Sequence, residues 1–136
     1  GAVEGDSRFE ASDIEIRRDG PSYTIDTVRD LAGQHPTARL YLIIGVDQWA
    51  DFGRWREPVE IGRLAEVAVM ARAGEEPKAL DPASTRGETF AFIEVGVTRV
   101  DVSATQIRRR VADGLSVRYL VPDRVRQIIE ADNLYL

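Results

Sequence analysis

The run Leu40-Tyr41-Leu42-Ile43-Ile44 constrains the fold of this chain more than any other segment. Five consecutive apolar residues leave no polar alternation for a half-exposed strand. The run therefore predicts a parallel strand covered on both faces, ending at Gly45-Val46-Asp47. Val67-Ala68-Val69-Met70 predicts the next buried strand. Upstream, Phe9 to Ile16 alternates loosely through Phe9, Ala11, Ile14 and Ile16 and reads as a strand. Arg18-Asp19-Gly20-Pro21 reads as a turn. Ser22 or Thr24 is then placed to cap a helix whose apolar face is Ile25, Val28, Leu31 and Ala32, with Gly33 and Pro36 ending it.

Gln48 to Ala65 reads as helical, broken near Gly53 and at Pro58. Residues 73–88 hold Gly, Pro, Ser and charge without periodicity and read as a mobile loop. Phe90 to Val95 and Thr98 to Val102 are expected to be short strands. Ile107 and Val111 bury one side of the next helix, which Gly114 closes. Pro122 opens the last helix, whose core face is Val125, Ile128 and Ile129. Strands alternating with helices predict an α/β protein with a mostly parallel sheet. Ligands of such sheets sit beyond the carboxyl ends of the strands. Gly45-Val46-Asp47, Arg72 and Ser103-Ala104-Thr105 fall there.

At 136 residues the chain is long enough for one domain with a real core. Its formal net charge of −5 argues against general nucleic-acid binding and against a polybasic membrane contact. Small anionic ligands remain open, because they need only a local positive patch. The chain has no cysteine, which excludes disulfides, thiol nucleophiles and cysteine-bound metals and fits a reducing cytoplasm. The single histidine, His35, lies between Gln34 and Pro36 and reads as a loop residue. No histidine metal cluster or Ser-His-Asp triad can be assembled from it. No secretory leader is visible, and no apolar run approaches membrane-spanning length.

The segment Asp101-Val102-Ser103-Ala104-Thr105-Gln106-Ile107-Arg108 carries the most chemistry. A β-branched stretch ends in two hydroxyls where a helix begins, with an arginine one turn in. A helix N-terminus presents unpaired N–H groups and the positive end of its dipole, so hydroxyls and a guanidinium there suit a phosphate. Ser103-x-x-Gln106 alone fits a capping box, but capping does not account for Thr105 and Arg108. Arg108, Arg109 and Arg110 lie about 100° apart on a helix and cannot all face one ligand. Arg109 is the most solvent-facing, and either Arg108 or Arg110 could lean over the N-terminus.

Gly45 lets a ligand approach the backbone closely. Asp47 can accept hydrogen bonds from ribose hydroxyls or, equally, cap a helix. Trp49 and Trp55, six residues apart in one helical region, point to different sides. One of them belongs to the core and the other could offer its face to an aromatic ring. Gly20-Pro21-Ser22-Tyr23-Thr24 leads into a helix N-terminus and reads either as simple initiation or as a second anion or amide pocket.

Four segments in this order resemble bacterial nicotinate mononucleotide adenylyltransferases of the nucleotidylyltransferase superfamily. They are Gly20-Pro21-Ser22-Tyr23-Thr24-Ile25-Asp26-Thr27, Ile43-Ile44-Gly45-Val46-Asp47, Trp55, and Val102-Ser103-Ala104-Thr105-Gln106-Ile107-Arg108. Tyr119-Leu120-Val121-Pro122 and Leu134-Tyr135 are also similar. The resemblance implies a Rossmann-like parallel sheet with helices on both faces. It also implies transfer of AMP from ATP to nicotinate mononucleotide, giving deamido-NAD and pyrophosphate. Ser103, Thr105 and Arg108 would hold the ATP phosphates, and Gly45 and Asp47 would lie against the adenosine. Trp55 would stack on the pyridine ring, whose carboxylate would meet the Tyr23-Thr24 backbone. Arg72 matches the arginine of an Arg-Pro-Gly turn, although Ala73 stands where the family has proline. Ala104 replaces a common serine.

The family's opening strand, Gly-rich turn and His-x-Gly-His motif are not in this sequence. Residues 1–136 therefore read as the later part of one nucleotidylyltransferase domain, with no catalytic residue of that motif and no protein metal ligand. Two sheet edges and an apolar face are expected to be open, poor turnover is expected of the chain alone, and completion by a second copy is conceivable. Magnesium would arrive with ATP. Two alternatives stand beside this reading. One is an adenylyltransferase for nicotinamide mononucleotide or phosphopantetheine. The other is a non-catalytic nucleotide-binding or assembly module.

Overall fold

The computed structural model describes residues 2–3, 5–71, 76–80, 87, 89–98 and 100–136. The chain divides into two compact units. Asp13–Arg99 form one; Gly1–Ser12 with Val100–Leu136 form the other.

The first unit is built on a parallel sheet of three described strands: β1 (Tyr41–Gly45), β2 (Glu66–Ala71) and β3 (Phe92–Gly96), in the order β1-β2-β3. Leu42 pairs with Val67 and Val67 with Phe92; Ile44 pairs with Val69. This register puts Leu42, Ile44, Val67, Val69 and Phe92 on one face. Helices α1 (Thr24–Gln34), α2 (Val46–Asp51) and α3 (Pro58–Leu64) add Ile25, Trp49 and Ile61 to the core with them, and Phe52 of the short 3-10 turn Phe52–Arg54 joins them. Tyr41, Ile43, Met70, Ile93 and Val95 project to the other face and are exposed, Ile43 by 61%. The apolar run at 40–44 thus makes a parallel strand, but the expected cover on both faces is not met: only its Ile44 is buried, because the described helices pack on one face alone.

The breaks near Gly53 and at Pro58 fall where the sequence puts them. Proline opens α3 at a position where its missing N–H costs nothing. Helix α1 runs through Gly33 to Gln34, and the His35 amide closes it on the Leu31 carbonyl at 2.9 Å. Its N-cap is Tyr23 and not Ser22 or Thr24. The Ser22 hydroxyl is spent on the Glu15 carbonyl at 3.1 Å, and Thr24 is already helical.

Two expected strands are absent among the described residues. Phe9–Ile16 forms local turns, with Phe9 N–H on the Asp6 carbonyl at 3.1 Å and Arg17 N–H on the Asp13 carbonyl at 3.0 Å. Ion pairs Asp6–Arg8 and Asp13–Arg17 hold these turns, and Phe9 and Ile16 stay exposed. In the segment expected to pair at 98–102, the Val102 amide folds back onto the Val100 carbonyl at 2.9 Å, a tight turn that replaces a ladder bond.

The second unit holds α4 (Ala104–Ala112) and α5 (Asp123–Ala131), joined around Ile107, Val117 and Ile129. Gly114, at φ +69°, ends α4. Its N–H meets the Val111 carbonyl at 2.9 Å, and the Leu115 N–H meets the Arg110 carbonyl at 2.7 Å. These two bonds make the left-handed cap that glycine permits most cheaply. Pro122 is the N-cap of α5, one residue before the helix proper.

Candidate functional site

In the second unit, the corner at Ser103 combines a cap with two further polar groups. Ser103 is the N-cap of α4, and its Oγ accepts the Gln106 N–H at 3.1 Å. One turn on, Arg108 Nη2 donates to Thr105 Oγ1 at 3.1 Å. The guanidinium therefore leans back toward the first turn, where the helix dipole is positive and its leading N–H groups lack carbonyl partners. Arg110 takes no part, because its Nε and Nη2 hold the Ser116 carbonyl at 3.1 and 2.8 Å. Of the two arginines the spacing allowed over the N-terminus, the fold selects Arg108. Ser103, Thr105 and Arg108 are all exposed.

In the first unit, Gly45-Val46-Asp47 lies at the carboxyl edge of the sheet, with Gly45 in register with Met70 and Met70 with Val95. Gly45 has φ −81°, which any residue adopts, and a Cβ built there meets nothing within 4 Å among the described residues. Neither the backbone nor the described packing of this chain requires glycine at that point. Asp47 is exposed in the first turn of α2, whose N-cap is Gly45. Beside it a cleft of about 290 Å³ is lined by Val46, Trp49, Lys78 and Leu80, among others.

The two tryptophans separate cleanly. Trp49 is 1% exposed, stacks on Phe52 at 5.4 Å and donates its Nε1–H to the Lys78 carbonyl at 2.8 Å. That bond also ties residues 76–80, part of the segment expected to be a loop, to the core. Trp55 is half-buried, resting on Phe52 at 5.3 Å. It is the tryptophan left with surface for a ligand ring. Arg72 lies outside the described residues, as does most of the 73–88 segment.

Tyr23 precedes α1 with 40% of its surface exposed, and the Arg56 guanidinium sits 4.6 Å above its ring. Glu57, the next residue, takes the left-handed conformation at φ 53° and binds Arg29 of α1 at 2.6 Å. This hydrogen bond holds the Glu57 carboxyl below its ordinary value and raises the Arg29 guanidinium above its own. The Trp55-Arg56-Glu57 turn is thus fastened to the start and middle of α1. A second fastening ties the chain before Tyr23 to α1. Arg18 donates to Thr27 Oγ1 at 3.2 Å and to Asp30 at 2.8 Å, while the Thr27 hydroxyl donates to Glu15 at 2.7 Å. Of Glu15, Arg18, Arg29, Arg56 and Glu57, only Arg18 stands out in the sequence, as part of a turn, and none as a site residue. The available signal was a charged pair directly after Trp55 and an arginine opening the Arg18-Asp19-Gly20-Pro21 turn.

A family model described as cytidylyltransferase-like matches residues 2–110. Proteins named "Probable nicotinate-nucleotide adenylyltransferase" are similar over 98% of the chain. That of Pelobacter propionicus is 38% identical, and the chain covers 70% of it. That of Rhodopirellula baltica is 36% identical with 65% covered, and that of Salinibacter ruber 37% with 66% covered. The chain belongs to the nicotinate-nucleotide adenylyltransferase family. It spans about two thirds of the length of these relatives. Among solved structures, nicotinic acid mononucleotide adenylyltransferase of Plasmodium falciparum, complexed with APC, superimposes with a TM-score of 0.58 at 15% identity. The overlap covers 86% of this chain and 60% of that one. The likeness places this family member in the same α/β fold. No helix among the described residues is long and apolar enough to cross a membrane.

Proposed function

We propose that the whole protein transfers the adenylyl group of ATP to nicotinate mononucleotide. The observation that carries the reading is similarity at 36–38% identity to relatives of that name over 98% of the chain. That span takes in both the Tyr23–Trp55 region and the Ser103–Arg108 corner. A phosphate oxygen of the mononucleotide attacks the α-phosphorus of ATP in line. The bond from that phosphorus to the bridging oxygen breaks, and pyrophosphate carries away the electron pair. No covalent enzyme intermediate is required, so the protein's share is positioning and charge stabilisation.

In this reading Ser103, Thr105 and Arg108 hold the triphosphate, with Arg72 as a further contact. Gly45 and Asp47 lie against the adenosine. Trp55 stacks on the pyridine ring, and the Tyr23-Thr24 backbone meets its carboxylate. Magnesium, brought by ATP, would neutralise charge on the departing pyrophosphate. Among the described residues no three imidazole or carboxylate side chains converge, so the ion's ligands would be chiefly phosphate oxygens and water. The lack of cysteine supports placing the reaction in a reducing cytoplasm.

The test is pyrophosphate release by the full-length protein, given ATP with nicotinate mononucleotide, nicotinamide mononucleotide or phosphopantetheine in turn. Release is expected fastest with the first. None with that acceptor would sink the proposal.

A further inference from the structure

We infer that Arg56 selects the acidic acceptor over its neutral amide. The inference rests on the function proposed above and adds a residue to it. If Trp55 carries the pyridine ring and the Tyr23-Thr24 backbone meets the group at its 3-position, Arg56 is a cation adjoining both features. It follows Trp55 in the chain, and its guanidinium lies 4.6 Å above the Tyr23 ring.

Arg56 makes only a long ion pair with its neighbour. Its Nε stands 3.9 Å from Glu57, beyond hydrogen-bond range, while the same carboxylate is bound by Arg29 at 2.6 Å. Glu57, held by Arg29 in a left-handed turn, fixes the backbone that presents Arg56. The side chain stays 54% exposed, so its fork of donors is open to solvent. A guanidinium resting on an aromatic face keeps both its orientation and its donors.

Backbone N–H groups at a helix start donate to either acceptor, since a carboxylate and an amide both offer an oxygen. Only the carboxylate adds a negative charge, and a fixed guanidinium distinguishes the two by a charge-assisted bond. Arg56 is therefore assigned as a specificity-determining residue that contacts an aromatic carboxylate.

The experiment compares kcat/KM for nicotinate and nicotinamide mononucleotides in the full-length protein and its Arg56→Gln and Arg56→Lys variants. Arg56→Gln is expected to lower the acid-to-amide ratio about tenfold to a hundredfold. Arg56→Lys, which keeps the charge but not the fork, should fall between it and the wild type. A wild-type ratio in Arg56→Gln, whether overall activity holds or falls, overturns the assignment. Equal loss with both acceptors counts against it for the same reason. A wild-type protein inactive with both acceptors would instead refute the proposed function.

Discussion

Arg108 reaches back along α4 to bind the Thr105 hydroxyl, Nη2 to Oγ1, at 3.1 Å. The pair is exposed at a helix N-terminus, where the interaction adds little to stability but sets the direction of a cation. Arg108→Gln should leave thermal unfolding nearly unchanged, within about 0.5 kcal/mol, as for most surface substitutions. In the full-length protein it should raise KM for ATP about tenfold or more, the worth of one charged hydrogen bond. Arg110→Gln should do the opposite, weakening the fold through the Ser116 carbonyl it releases and sparing KM. Steady-state kinetics and thermal melts on both variants check the contrast.

Ser103 serves two purposes that substitutions can separate. Its Oγ caps α4 through the Gln106 amide, and removing a serine cap costs about 1 kcal/mol. Aspartate caps as well as serine does. Ser103→Ala should therefore lower stability, while Ser103→Asp should restore it. In the proposed reading the aspartate would also point a negative charge at the triphosphate. Ser103→Asp is then expected to be stable and poor in ATP binding, measured by calorimetric titration. Full ATP affinity in that variant would confine Ser103 to capping.

Trp49 and Trp55 should fail differently when truncated. Trp49 is enclosed by Phe52 and Phe92 and satisfies the Lys78 carbonyl. Trp49→Ala should cost about 3–5 kcal/mol. Trp55 rests on Phe52 with part of its surface open, and Trp55→Ala should cost about 1–2 kcal/mol. Only Trp55→Ala should raise KM for the pyridine mononucleotide in protein that remains folded. Denaturant titration beside kinetics separates the two effects.

How far the sequence anticipated these results depends on the range of the interaction. Ile44, Val67 and Val69 were legible as core because apolar runs fix a strand locally. The Ser103 cap was legible for the same reason, since Ser-x-x-Gln is complete within four residues. The choice between Trp49 and Trp55 was not, because the 3-10 turn at Phe52–Arg54 between them resets the helical phase. The choice of Arg108 over Arg110 turned on the Ser116 carbonyl, beyond the end of α4. The clamp of Glu57 on Arg29 spans 28 residues, and no short pattern announces it. Phe9–Ile16 shows the converse error. Its loose alternation suggests a strand, but nearby charge pairs close turns and no ladder partner appears among the described residues.

That clamp carries a pH signature. The hydrogen bond from Arg29 holds the Glu57 carboxyl below its ordinary value. A group whose folded value is depressed stabilises above its unfolded value and loses that contribution as pH falls through the folded one. The contribution is therefore full above about pH 4–5 and declines below it. Asp6 and Asp13 are lowered in the same way by Arg8 and Arg17, so the wild type loses three such terms on acidification. Glu57→Gln should flatten the acid limb of stability against pH without removing it. The difference should shrink in high salt, because the pair is exposed. Melting temperatures from pH 7 to 3 at two ionic strengths test this.

The open face of the sheet predicts how residues 1–136 behave on their own. Tyr41, Ile43, Met70, Ile93 and Val95 share that face, and each is at least 38% exposed. The register makes them contiguous, and contiguous apolar patches are rare on stable monomers. The neighbouring edge of β1 also offers unpaired backbone groups among the described residues, a template for further strand pairing. The isolated polypeptide should therefore self-associate in a concentration-dependent way. Ile43→Lys places a charge at the most exposed residue of that face and on the edge strand, so it should shift the equilibrium toward monomer. The fold should persist, since Ile43 contributes little to the core. Sedimentation velocity across a hundredfold concentration range reads both outcomes, and a wild-type chain that stays monomeric throughout would show that this face needs no cover.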